Sequence, residues 1–205
     1  MSRTSYHTVT KTTKGLYKEK GSKFIAIAIP VTSEEGVKHQ QEALRKEYYD
    51  ARHHCYAYVI GEDYAQFRAN DDGEPNHSAG DPILGQIRSK DLTNTLVVVI
   101  RYFGGTKLGV SGLINAYKTS AEEALSENEI INVPITDTIE IIFDYESTSE
   151  VMRMVKDLDL SIANQKYEVE CSLTVKSRVD QTDILLKKLQ LLKDTGSTLQ
   201  FKLIQ

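Results

Sequence analysis

The sequence predicts an α+β chain of two domains, residues 1–133 and 134–205. Three observations carry that expectation. A continuous apolar run, Leu96 to Ile100, leads through a glycine-rich loop into an amphipathic helix. Helical periodicity ends around 128–137, where Pro134 interrupts the chain. Beyond it, apolar positions follow the order strand, helix, strand, strand, helix, strand. A chain of 205 residues can bury one large or two small cores, and the composition is that of a globular protein.

In the first domain, Phe24 to Val31 reads as a strand, and Thr32 with Glu35 makes a capping box for a helix running to about Tyr49. His54, Tyr56, Tyr58 and Ile60 then alternate with His53, Cys55, Ala57 and Val59, and Gly61 ends that strand. A polar segment, RANDDGEPNHSAGDPILGQI, follows; within it Ala79 to Ile87 can open a short helix despite Gly80, Pro82 and Gly85. After the apolar strand, Leu113, Ala116, Tyr117, Ser120, Ala121, Ala124 and Leu125 recur on one helical face.

In the second domain, Ile139, Ile141, Phe143 and Tyr145 alternate as one strand, and Tyr167, Val169, Cys171, Leu173 and Val175 as another. Ser161 to Lys166 supplies a short strand between them in the chain. Val151, Met154, Val155 and Leu158 form one helical stripe; Leu185, Leu189 and Leu192 form a second; Leu199, Phe201 and Leu203 close the set. That order is ferredoxin-like, an antiparallel sheet with both helices on one face. Its open face would show Glu140, Asp144, Glu168, Glu170, Ser172, Thr174, Lys176, Gln200 and Lys202. None of these is aromatic, which excludes an RNA-recognition sheet with stacking rings.

The loop between the apolar strand and its helix is the strongest chemical feature. Gly104, Gly105, Gly109 and Gly112, with Ser111, precede or open a helix whose free N–H groups attract anions, and Arg101 and Lys107 flank them. Glycines here can equally serve only to turn the chain. Nucleotide motifs fail: Val110 and Ser111 stand where a Walker loop needs Lys and Ser or Thr, and there is no GxGxxG. Tyr102 and Phe103 read either as core packing at a strand end or as contacts for a partner.

His53, His54 and His77 with Asp71, Asp72 and Glu74 contain residue types suited to a metal or to acid–base chemistry. Their spacing matches no compact ligand motif, and His53 and His54 point to opposite faces of a strand. A turn that ties down its own backbone is the expected role of Asp71 to Glu74, and its acids can pair with Arg101. No metal or cofactor is expected.

Charge bounds the partners. Residues 1–133 hold 16 basic and 17 acidic residues, and residues 134–205 hold 9 and 12, so neither part carries the excess that drives general DNA or RNA binding. A focal patch of Arg101, Lys107 and Lys118 remains compatible with these totals. No apolar run approaches the roughly 20 residues of a membrane span, and the N-terminus lacks an apolar signal core. Cys55 and Cys171 read as buried thiols. A cytoplasmic location is expected.

The segments KGSKFIAIAIPV, HHCYAYVIG, RANDDGEPNHSAGDPILGQI and VVVIRYFGGTKLGVSGLINAY together resemble the signature blocks of the IMPACT family, in its bacterial YigZ-like branch. The sequence departs from the family pattern at Asn76, His77 and Ser78, where Ser-Gly-Thr is frequent, and at Ser111, where glycine is common. The resemblance implies a first domain of the ribosomal-protein-S5 domain-2 type, like domain IV of elongation factor G. It implies a second domain that is ferredoxin-like, similar to domain V of that factor.

It further implies a non-enzymatic, translation-linked protein that contacts RNA, the ribosome or a ribosome-associated factor. The kinase-restraining role of eukaryotic IMPACT proteins uses an additional N-terminal domain and is not carried over. A different reading is an enzyme or sensor that binds a phosphorylated small molecule in the same loop. The galactokinase and mevalonate kinase group, of similar fold, binds phosphate at such a helix start, although its GLGSSA pattern is missing here. A protein-interaction scaffold using Tyr102 and Phe103 is the third.

Overall fold

Apolar side chains on both faces of one strand require cover on both sides, and the N-terminal unit is built around that requirement. The computed structural model describes residues 3–168 and 170–204, so Val169 lies outside the described residues. Two units pack separately, one of Ser5–Val133 and one of Pro134 onward together with residues 3–4.

In the N-terminal unit the strands are β1 (Ser5–Val9), β2 (Thr13–Glu19), β3 (Ser22–Pro30), β4 (His53–Ile60), β5 (Gln66–Asn70), β6 (Thr95–Tyr102) and β7 (Ile130–Pro134). The helices are α1 (Glu34–Glu47), α2 (Gly80–Ser89) and α3 (Gly109–Ser126). Strands β2, β3, β6, β4 and β5 form, in that order, a five-stranded antiparallel sheet, and β1 pairs with β7. The apolar strand β6 lies at the centre. Val97 and Val99 pack with Ile83 and Ile87 of α2 and the Leu113, Ala116, Tyr117, Ala121, Ala124 and Leu125 stripe of α3. On the other face, Leu96, Val98 and Ile100 pack with Val37 and Leu44 of α1.

The short helix expected at Ala79–Ile87 forms as α2 despite its glycines and proline. Pro82 sits near its start, where a missing N–H removes no intrahelical bond. One boundary differs from expectation: Ser33, not Thr32, caps α1, its hydroxyl accepting from the Gly36 N–H at 3.1 Å. Strands β1, β2, β5 and β7 were not legible in the sequence. Edge strands bury little, so their apolar alternation is weak.

The C-terminal unit contains β8 (Thr136–Phe143), α4 (Thr148–Asp157), β9 (Ser161–Tyr167), β10 (Cys171–Arg178), α5 (Thr182–Asp194) and β11 (Leu199–Ile204). The antiparallel sheet has the order β11-β8-β10-β9, the ferredoxin-like arrangement. Ile139, Ile141, Phe143, Cys171, Leu173 and Val175 face the buried residues of α4 and α5. Two expectations are corrected. Tyr145 lies beyond the end of β8 and is exposed, and Tyr167 belongs to β9, opposite Cys171 rather than on its strand. Among the polar residues of the other face, Lys202 and Glu140 pair across strands at 2.7 Å. No helix among the described residues is long and apolar enough to cross a membrane.

Candidate functional site

Strand alternation decides which residues at the end of β6 can cooperate. Arg101 shares its face with Val97 and Val99 and lies opposite His53 on β4 and Phe24 on β3. Tyr102 points to the α1 face, where its hydroxyl donates to Asp50 at 2.7 Å; that bond and burial push its pKa up to about 12. Tyr102 is therefore separated from the loop chemistry with which its sequence position groups it.

Arg101 is not a surface cation. Its side chain is 8% exposed and its NH1 donates to Glu74 Oε1 at 2.5 Å, the Glu74 side chain being 4% exposed. The same oxygen accepts from the Tyr117 hydroxyl at 2.8 Å. The Cys55 thiol lies 3.3 Å from the Tyr117 oxygen and 3.0 Å from the Asp71 carbonyl, and its one proton serves one acceptor at a time. Burial pushes both the Cys55 thiol and the Tyr117 phenol far above their ordinary ranges. Both are protonated at neutral pH, so neither supplies a nucleophile. Phe24 packs edge-on to Tyr117 at 5.1 Å and lies under the Arg101 guanidinium at 5.5 Å.

The turn after β5 delivers Glu74 to this network. Asp72, Gly73 and His77 take positive φ, and Asp71 organises the turn by accepting from the backbone N–H groups of His77, Ala79 and Gly80 at 2.8–2.9 Å. Asp72 accepts from the His54 N–H and from Arg45, and its carbonyl accepts from His53 Nδ1 at 2.8 Å. A carbonyl cannot donate, so Nδ1 carries the proton and His53 Nε2 remains the basic nitrogen. His54 points to the opposite face, and burial, reinforced by Arg45, holds it below the usual histidine range. His77 is exposed and pairs with Asp81 at 2.6 Å. Among the described residues no three His, Cys, Asp or Glu side chains are grouped to hold a metal.

Burial raises the pKa of Asp71 and Asp72, but the backbone N–H groups of Gly80, His77 and Ala79 for the first, and His54 N–H with Arg45 for the second, outweigh it. Both fall below 3.8. A depressed folded pKa supplies stability above the unfolded value, and that stability is lost as pH falls from about 4 through the folded values. Acid unfolding followed by circular dichroism is expected to show Asp71→Asn less stable at neutral pH and shallower in its loss below about pH 4. An unchanged acid limb would exclude Asp71 as its source.

Beside this network lies a cavity of about 500 Å³, lined by Arg52, His53, Glu74, Pro75, Arg101, Phe103, Lys107 and the start of α3 at Leu108, Gly109, Val110 and Leu113. Helix α3 has no side-chain cap and no acid in its first turn, so its first N–H groups are unneutralised donors. Gly109 enters the helix at φ +76° and Gly105 turns the loop at φ +87°, both in space where a side chain would meet nothing. Gly104 instead lies against the β2–β3 turn, its N–H donating to Ser22 Oγ at 3.1 Å. Gly112 is held close to Leu108, and Ser111 is exposed on the first turn.

Of the two readings of Phe103, core packing does not hold: the ring is 55% exposed, 5.7 Å from the Arg101 guanidinium. Lys118 does not line the cavity. Arg52, preceding β4, takes that role, and no local motif marks it. The Tyr117 hydroxyl was equally hidden, because its position in the apolar stripe of α3 accounted for the ring alone.

Residues 20–125 match the Impact N-terminal domain. The chain is 37% identical over 146 residues to the IMPACT family member YvyE of Bacillus subtilis (strain 168), covering 71% of this chain and 67% of that one. It is 34% identical over 160 residues to the IMPACT family member YigZ of Escherichia coli (strain K12), covering 76% and 78%. A crystal structure described only as a hypothetical protein superposes with a TM-score of 0.73 at 27% identity, over 100% of this chain and 99% of the other.

Proposed function

This chain belongs to the IMPACT family, in its YigZ-like branch, and from that premise we propose a translation-linked, non-enzymatic protein of the cytoplasm that contacts RNA through the cavity at the start of α3. The supporting observation is the convergence there of Arg52, Lys107 and the uncapped N–H groups of α3. These donors suit phosphate, and they form a local positive site on a chain of net charge −4. Phe103 adds an exposed ring on which a base can stack. Cys55 and Tyr117, fully buried and protonated, lie behind the cavity rather than on its lining and supply it no nucleophile.

Ribosome co-sedimentation across a salt series tests this reading. The Arg52→Ala, Lys107→Ala double variant is expected to bind more weakly and to show a flatter salt dependence, by about 0.7 in log–log slope per lost contact on single strands. Binding that is salt-insensitive, or unchanged in the double variant, would remove the cavity from the interface. Arg101 is unsuitable for this test, since its truncation acts on the buried Glu74.

A second reading is favoured by the concavity itself. A volume of about 500 Å³ lies in the range of small-ligand pockets. A phosphorylated small molecule at 100 times its dissociation constant would add about 2.7 kcal/mol to stability, visible as a thermal shift. A flat response to a broad panel of nucleotides and sugar phosphates is the outcome that rejects it.

A further inference from the structure

We propose that the cavity is selective for a phosphomonoester, the phosphorylated end of a nucleic-acid strand, over an internal phosphodiester. This rests on the RNA-binding reading and narrows it. Three lining cations, Arg52, Arg101 and Lys107, face one carboxylate, Glu74, leaving two net positive charges. A monoester carries about −1.5 to −2 at neutral pH, whereas a diester carries a single charge.

Depth supplies the second argument. Arg101 spends NH1 on Glu74, but its Nε has no hydrogen-bond partner although the side chain is more than nine-tenths buried. A buried, unsatisfied donor of a charged group is costly, and an anion that reaches it recovers that cost. A terminal phosphate is esterified on one side and can be inserted toward Arg101, with its remaining oxygens available to the first N–H groups of α3. An internal phosphate is tethered on both sides and is held at the mouth. Glu74 is already paired with Arg101 and hydrogen-bonded by Tyr117, which limits its repulsion of the incoming anion.

The mouth fits the rest of such a ligand. Phe103 and Val110 are 55% and 52% exposed beside the charged interior, so a terminal base has an apolar surface next to its phosphate. Stacking of one base on an aromatic side chain contributes without reading its identity, so selectivity resides in the end group and not in the sequence.

The test uses the full chain and one short single-stranded RNA, fluorescently labelled at an internal position, in three forms: 5′-phosphate, 3′-phosphate, and hydroxyl at both ends. At least tenfold tighter binding of one phosphorylated form, reduced to the level of the hydroxyl form by Lys107→Ala, is expected. Competition by a free nucleoside monophosphate as strong as that of the phosphorylated strand would support the same pocket chemistry with a mononucleotide as its source. Equal binding of all three forms would overturn end selectivity while leaving the RNA-binding reading in place. Binding of none of the three forms would reject both.

Discussion

Replacing Glu74 with alanine is expected to destabilise the N-terminal unit by about 3–5 kcal/mol, the cost of removing one partner of a buried ion pair. Both side chains are more than nine-tenths buried, so the Arg101 guanidinium recovers little hydration when Glu74 is lost. The Tyr117 hydroxyl loses its acceptor at the same time, and with it the Cys55–Tyr117–Glu74 arrangement loosens. Urea unfolding of the parent, Glu74→Ala and the double variant Glu74→Leu, Arg101→Met distinguishes a costly orphaned charge from a net stabilising pair. The double variant is expected to be more stable than Glu74→Ala, because two apolar groups leave no buried charge unpaired. Equal loss in the two would mean that the pair itself, and not the orphaned guanidinium, accounts for the effect. The double variant also separates structure from binding: a folded protein lacking Arg101 is expected to lose preference for phosphorylated RNA ends.

Gly104→Ala is the second large effect, expected at about 3 kcal/mol or more by forced overpacking against backbone. A Cβ at Gly104 would lie 1.9 Å from the Gly21 carbonyl carbon and 2.1 Å from the Ser22 N–H nitrogen, so the β2–β3 turn or the β6 end must move. No flexible side chain is available to give way. Gly105→Ala, one residue on, meets no atom within 4 Å but must take φ +87°, and about 1–2 kcal/mol is expected from left-handed strain alone. Thermal or chemical unfolding should rank Gly104→Ala well below Gly105→Ala. The reverse order would show that the loop relaxes around Gly104 and that its contact with Gly21 is not fixed.

The contrast between these glycines shows how far the sequence could be read. All four glycines of the loop looked equivalent as components of an anion cradle. In the folded chain, Gly104 permits backbone approach to the β2–β3 turn, Gly105 and Gly109 supply positive φ, and Gly112 packs on Leu108. Only Gly109 opens the helix at the cavity. That Tyr102 faces away from Arg101 was legible in the sequence, because adjacent residues of a strand face opposite ways.

What the sequence determined by itself is the periodic part of the molecule: the doubly covered strand β6, the buried stripe of α3, and the strand and helix order of the C-terminal unit. Burial repeats at 2 or 3.6 residues along a segment, so each such element announces itself locally. Tertiary structure alone decided which acid of the Asp71–Glu74 turn meets Arg101 and that the pair is buried, and that Arg52 joins Lys107 at the mouth. It also decided that β2 and β5 complete the sheet from its edges. Ion pairing and edge-strand hydrogen bonding depend on which distant segments meet, and neither leaves a periodic trace in the residues that take part.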